Sequence, residues 1–484
     1  MSDGEDETLW VCAGCVGEEY LSGEIAANGQ GRTCGFCDAA SACISVGQLA
    51  DYIEAAFETH YYRTSDQPDF YQSMLLNDRE SNYDFERPGD EVLYAIGEAA
   101  AIDEVIAQAV LDVLSDRHGD FESAAMGEET EFDPDSYYAP RGPNDIELQL
   151  AWKSLERSLK GEARFFNKEA EDLLGRLFRG VGSYSTVNGR AVVKTAGVDA
   201  DLPSFFRARV FHTGAALARA LERPDRELGP PPSAIAIGGR MNAAGVALFY
   251  GATDAEAALA EVRPTVGSRV LVARFDVIRP LRLLDVDALR SVYVNGSIFD
   301  PSYMGRLELA KFLESLSERM TLPVMPGDEP AEYLITQVIA DYLAGDAELG
   351  LDGLLYPSVQ RAGKHQNVVL FRAASRVAEL DLPAGTKVSA QLEDFDEEGA
   401  SPSYWVSESV PPPVPVAPEA DDDLVAQFRP GPYLDPFSEP EDGRQTSLAL
   451  AVDTLQVHHV EALVIDTTSF DVTRLRHTSG PRKF

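Results

Sequence analysis

The stretch GGRMNAAGVALFYGATDAEAALAEVRP, residues 238–264, decides how the middle of this chain is read. Gly238, Gly239 and Gly245 let backbone or ligand approach closely. Arg240 adds a cation and Asn242 a polar side chain. The run through LFY reads as a strand ending at Tyr250, and the next segment reads as a helix ending at Glu261. Outward from it, SAIAIGG, GVALFYGAT, RVLVARFDV, GLLYPSV and NVVLFR are short β-like runs between Gly and Pro. TDAEAALAEVRP and EYLITQVIADYLAGD are helical in period, so residues 201–376 are expected to form a mixed α+β domain.

Two further segments carry polar residues suited to a dinucleotide. FFRARV places Arg207 and Arg209 two apart, and on a strand such residues face one side, where both can address one anion. DGLLYPSVQRAGKHQNVVLF carries Tyr356 and Ser358 ahead of a polar loop that closes at Asn367. Taken singly, each has a structural explanation: surface arginines, a glycine turn, a helix-end carboxylate in a salt bridge, a capping serine.

The 484 residues suit two to four folding units. The net charge of −39 repels phosphate backbones and argues against general nucleic-acid binding. Residues 201–300 depart from that excess: twelve Arg and no Lys stand against eleven Asp and Glu, which suits a small anion. A salt-bridged surface would give the same composition. No run approaches the roughly 18 apolar residues of a membrane helix, and the acidic start MSDGEDETLW is unlike a signal peptide, so a cytoplasmic location is expected.

Cys12, Cys15, Cys34 and Cys37 form two C-x2-C pairs, the spacing of two knuckles that offer four thiolates to a structural Zn²⁺. Four thiolates close the coordination shell, so the metal staples the fold and does no catalysis. Cys43 falls outside the pattern and reads as a small core residue. Residues 48–62 and 91–117 read as helices, FDPDSYYAPRGPND (132–145) as a linker, and 151–178 as an amphipathic helix that packs on a domain or forms a dimer seam. The expected organisation is a zinc-bound, mainly helical domain over 1–150, a connecting helix over 151–200, the α+β domain, and over 377–484 an acidic Pro-rich linker with a β-like extension.

Together and in order, the central motifs resemble the RES domain, a family of toxins from bacterial toxin–antitoxin pairs. Its arginine falls on Arg207 in FFRAR, its glutamate on Glu261, its serine on Ser358 in DGLLYPS, its strand aromatic on Tyr250 and its last polar residue on Asn367. The stretch from WVCAGC to RFF at 164–166 resembles the HEPN/RES N-terminal domain. A longer insertion, roughly 291–330, and the C-terminal extension depart from compact RES toxins. The resemblance implies a fold similar to ADP-ribosyltransferases and cleavage of the nicotinamide–ribose bond of NAD⁺, with phosphate, water or a protein side chain as acceptor and phosphate favoured. A carboxylate beside an oxocarbenium-like ribose lowers the barrier, which is the role for Glu261. Arg207, with Arg240 as a second candidate, would hold pyrophosphate or phosphate. Tyr250 would orient the nicotinamide side and Ser358 the ribose or acceptor, with Asn242 and Asn367 beside the substrate.

Two other classes compete. HEPN ribonucleases use R-x4-6-H, matched only by Arg207 and His212. A binding or immunity protein could keep the residues without the activity. Restraint is expected from an antitoxin or activating protein, or from the flanks: a homo-oligomer through 151–178, or PEADDD covering an Arg-lined pocket.

Overall fold

The computed structural model describes residues 9–78, 82–120, 126–162, 164, 166–324, 329–360, 365–396, 399–412, 442–464 and 467–475. The segment PEADDD lies outside them. The chain divides into two compact units, one of residues 1–177, 184–190 and 288–318, the other of 178–183, 191–287 and 319–484.

In the first unit a three-stranded antiparallel sheet orders Trp10–Cys12, Ala40–Ser45 and Gln30–Thr33. Helix Val46–His60 follows, started by a capping box in which Ser45 and Gln48 satisfy each other's backbone donors. Its Leu49, Ile53 and Phe57 pack with Ile96, Val110 and Leu114 in one core, each contributing about 1.5–3 kcal/mol by leaving water. The helix expected over 91–117 is two helices, Val92–Ala100 and Glu104–His118. They part because Ala101 turns left-handed (φ 50°) and its carbonyl accepts from Gly17 N–H at 2.9 Å. The expected linker at 132–145 contains a strand, Tyr137–Pro140, paired on both sides by Tyr61–Arg63 and Asp90–Glu91. Its Asp- and Pro-rich flanks hid the buried Tyr138. The helix read over 151–178 is also two, Ile146–Gly161 and Lys168–Phe178. Trp152 lies 5.8 Å from Phe312, and Leu155, Leu159, Leu173 and Leu174 are buried within the chain.

The second unit is built on an eight-stranded sheet. In chain order its strands are β1 (Val193–Ala196), β2 (Ser204–Phe211), β3 (Phe249–Ala252), β4 (Arg269–Val277), β5 (Leu281–Asp285), β6 (Gly353–Pro357), β7 (Gln366–Leu370) and, after the hairpin β8 (Lys387–Asp396) and β9 (Gly399–Ser409), β10 (Leu448–His459). Their order across the sheet is β10-β4-β2-β3-β7-β6-β5-β1. Only β5 and β6 run parallel. Phe205, Phe249, Phe275, Leu283, Leu355 and Val368 form the core on one side. On the other side helix Ala255–Glu261 packs Ala257 and Ala258 against Ala208, Ala252, Val270 and Val272. The alternation read over 446–477 yields the strand β10 and no strand among the described residues beyond it. SAIAIGG is no strand: Ser233–Ile235 is a 3₁₀ turn and the chain stays irregular up to β3. No helix among the described residues is long and apolar enough to cross a membrane.

Candidate functional site

Glu261 is the last residue of a helix that starts at Asp254, whose Oδ1 accepts from Ala257 N–H at 2.8 Å. One carboxylate oxygen of Glu261 accepts from Ser358 Oγ and from Asn367 Nδ2, both at 2.8 Å. Ser358 is 9% exposed and Asn367 2%. Hydrogen bonds to a charged acceptor contribute about 1.5–3 kcal/mol each when the donors are otherwise dry. The register explains the meeting: Asn367 pairs with Tyr356 on one side and Ala252 on the other, so both neighbours share its face. The start of β7 grips both ends of the Glu261 helix. His365 Nδ1 lies 2.8 Å from Asp254 Oδ2 at the first turn, and Asn367 holds Glu261 at the last. His365 stands in the polar loop ahead of Asn367, and no spacing in the sequence indicates that it meets Asp254.

Tyr250 and Tyr356 stand on the same face as Asn367. Burial pushes the Tyr250 hydroxyl up to about 12. Burial also raises Tyr356, reinforced by Tyr250 and the charge of Glu261, so both phenols stay protonated near neutrality. Tyr250 Oη donates to Asn242 Oδ1 at 2.6 Å and accepts from Met241 N–H at 3.1 Å.

Asn242 and Arg240 hold protein rather than open space. Asn242 Nδ2 donates to the carbonyls of Ile237, Ala243 and Val246, which ties the glycine loop into shape. A Cβ at Gly239 would lie 2.8 Å from Asn242 Oδ1 and 2.9 Å from Tyr250 Oη, so glycine serves side-chain packing there. Arg240 donates to the carbonyls of Met320 and Leu322 at 2.7 and 2.8 Å, satisfying the end of a helix that runs to Thr321.

Arg207 behaves differently. Its Nη1 is buried without a hydrogen-bond partner, and its guanidinium lies 5.1 Å from the Phe249 ring centroid. Burial, with Arg209 adding like charge, lowers its pKa to about 10 against a favourable effect from Tyr250. Arg207 pairs in register with Ala273, whereas Phe206 pairs with Ala252, so strand alternation sets Arg207 off the face of Asn367 and Tyr356. It adjoins the Glu261 cluster through Tyr250 and, among the described residues, makes no hydrogen bond or ion pair with Glu261 itself. The expected pairing of two arginines on one anion does not form. Arg209 is exposed and held by the carbonyl and carboxylate of Glu227 at 2.7 and 2.8 Å.

The four cysteines converge. Their Sγ atoms all lie within 4.8 Å of one another, with Cys12–Cys15, Cys12–Cys37 and Cys15–Cys34 at 3.6, 3.5 and 3.8 Å. A tetrahedron with zinc–sulfur bonds of about 2.3 Å has edges of about 3.8 Å, so the set fits that metal. Cys12 and Cys15 flank a 3₁₀ turn, and Cys34 and Cys37 a turn ending at left-handed Asp38. Although burial opposes it, backbone hydrogen bonds from Phe36, Cys37 and Cys12 bring the Cys34 thiol down to about 6, toward the thiolate a metal needs. Cys43 stays outside, buried between Arg32 and Ser41 carbonyls.

With sheet and cluster in view, the class is a mixed α+β domain in which a half-buried carboxylate held by Ser358 and Asn367 shares a sheet face with two phenols beside a glycine loop, with Arg207 adjoining through Tyr250. Residues 209–393 match the RES domain family, so this chain carries a RES domain. The match opens two residues after Arg207 and closes inside β8. No curated protein and no solved structure matches the chain.

Proposed function

We propose that the RES domain cleaves NAD⁺ between nicotinamide and ribose and passes the ADP-ribosyl group to phosphate, in a fold of the ADP-ribosyltransferase kind and in the setting of a toxin restrained by a partner. A RES domain marks an NAD⁺-acting enzyme in general. The observation that carries the finer reading is the convergence of Ser358 and Asn367 on one oxygen of Glu261, from positions 97 and 106 residues away.

The N–C1′ bond breaks with its electron pair going to the nicotinamide ring, which becomes neutral, while positive charge grows on the ribose. An acidic oxygen of Glu261 beside that ribose stabilises the charge, and its two donors fix its place before substrate arrives. Phosphate closes the step by an oxygen–C1′ bond, giving ADP-ribose 1″-phosphate. An orphan guanidinium at Arg207 suits either the pyrophosphate or the attacking phosphate, since an anion satisfies the nitrogen that the protein leaves unpaired. Tyr250 and Tyr356, held neutral, supply faces and hydroxyls for the nicotinamide side. Arg240 and Asn242 shape the glycine loop and reach substrate only through it.

The test is NAD⁺ consumption by the full chain against Glu261→Gln, which removes the charge at nearly constant shape. A loss of about 100-fold or more is expected, equivalent to about 3 kcal/mol of transition-state stabilisation. Equal rates in the two proteins would remove Glu261 from the chemistry.

A further inference from the structure

The proposed reaction leaves one helix of the RES domain without a role. Helix Glu329–Gly345 lies inside the matched range, yet none of the residues aligned with the RES pattern falls on it. Its later turns are set in the core by Ile339, Ala340 and Leu343, all buried. Its earlier turns meet the glycine loop. Thr336, 7% exposed, donates through Oγ1 to the Arg240 carbonyl, and Gln337 Nε2 donates to the Gly239 carbonyl at 2.8 Å. Tyr333 stands three and four residues ahead of these two, on the same helical face. There the Arg240 guanidinium lies 5.7 Å from its ring centroid.

These anchors tie Tyr333 to Tyr250. Gly239 gives its carbonyl to the helix and its bare Cα to Tyr250, whose Oη would lie 2.9 Å from a Cβ there. Met241, the residue after Arg240, donates its N–H to the same Oη at 3.1 Å. A helix and a strand thus hold two tyrosines against the same three loop residues, 239–241. Burial is the first cause that raises the hydroxyls of Tyr250 and Tyr356, and Tyr333 adds to both, so all three phenols lie within electrostatic reach of one another.

A tyrosine beside an arginine is ordinary packing when it completes a core or ties down its hydroxyl. Tyr333 does neither: it is half-buried, and among the described residues its hydroxyl makes no hydrogen bond. Arg240 is fixed separately by the Met320 and Leu322 carbonyls, so its guanidinium backs the Tyr333 ring from a set position. A ring held by its neighbours, with its polar end free, is preorganised to stack on a planar group at little cost in rotamer entropy.

We propose, on the nicotinamide–ribose reading given above, that Tyr333 is a substrate-binding residue whose ring forms a third aromatic wall, with Tyr250 and Tyr356, for the nicotinamide of NAD⁺. Stacking holds the ring alike before and during bond cleavage, so Tyr333 serves affinity for the substrate and not the rate of the step. ADP-ribose lacks the ring and is indifferent to Tyr333.

Steady-state kinetics of the full chain, with ADP-ribose as a competing ligand, tests this against Tyr333→Leu and Tyr333→Phe. Tyr333→Leu is expected to raise KM for NAD⁺ about 10-fold with kcat within about 2-fold, and Tyr333→Phe, which keeps the ring, to stay within about 2-fold in both. The inhibition constant of ADP-ribose should agree within about 2-fold in all three proteins, which also reports an intact site. An unchanged KM in Tyr333→Leu, a fall confined to kcat, or an equal loss of affinity for NAD⁺ and ADP-ribose overturns the inference while the reaction stands. An unsubstituted chain that leaves NAD⁺ intact overturns the reaction and the inference together.

Discussion

The cysteine cluster and the Glu261 cluster are both built from four or five chemically apt side chains, yet they are assembled in opposite ways. The four thiols lie within residues 12–37, on two tight turns of one small sheet, and each pair is joined by local backbone. The carboxylate group draws Glu261 from a helix end, Ser358 from the end of a strand and Asn367 from its neighbour, and only sheet register brings them together. A local site can be read from spacing, since two residues between cysteines already fix the turn. A register-built site can be read only in order of motif, and its members need not all point inward. Arg207 and Arg209 show the limit: two apart on a strand they share a face, but Glu227 captures Arg209 and leaves Arg207 alone.

The largest effect expected from this contrast is metal removal. If the thiols close around zinc, chelation withdraws about 10 kcal/mol of local folding energy from the first unit. Hydrogen exchange should then rise through residues 9–45 while NAD⁺ turnover by the RES domain persists. Metal analysis of reductively purified protein that finds no zinc would contradict the assignment, and turnover that collapses with chelation would contradict the locality.

A smaller effect is expected at the register-built site. Ser358→Ala removes one of two donors to a carboxylate already held by Asn367, and kcat should fall about 10-fold with KM little changed, about 1.4 kcal/mol. A change confined to KM would make Ser358 a binding residue.

The smallest effect is one of stability. Arg207 pays desolvation without a protein partner, so Arg207→Met is expected to raise Tm by about 2–4 °C, about 1 kcal/mol, while weakening NAD⁺ binding. The sign with pH follows from the lowered pKa. Below about 10 both folded and unfolded arginine are charged and the cost is present in full; as pH rises above about 10 the folded form sheds its proton before the unfolded one and the cost fades. The gain from the substitution should therefore shrink in alkaline denaturation series, and a gain constant with pH would place its origin in packing.

Much of this was legible in the residues. The C-x2-C pairs, the helix ending at Glu261, and the strands around Tyr250 and Asn367 follow from spacing and period. What escaped depended on tertiary capture. Ala101 breaks a helix because its carbonyl finds Gly17, and Tyr137–Pro140 is a strand because two distant strands flank it. Arg240 and Asn242 carry the residue types of a phosphate and ribose site, but a helix end and three loop carbonyls occupy them. Sequence gives the chemistry of a donor; only packing gives its partner.

The most direct measurement is mass spectrometry of products after incubating the full chain with NAD⁺, with and without phosphate, beside Glu261→Gln. The account predicts nicotinamide and ADP-ribose 1″-phosphate when phosphate is present, and an at least ~100-fold smaller yield from the variant. Intact NAD⁺ under every condition, or products formed equally by Glu261→Gln, would contradict it.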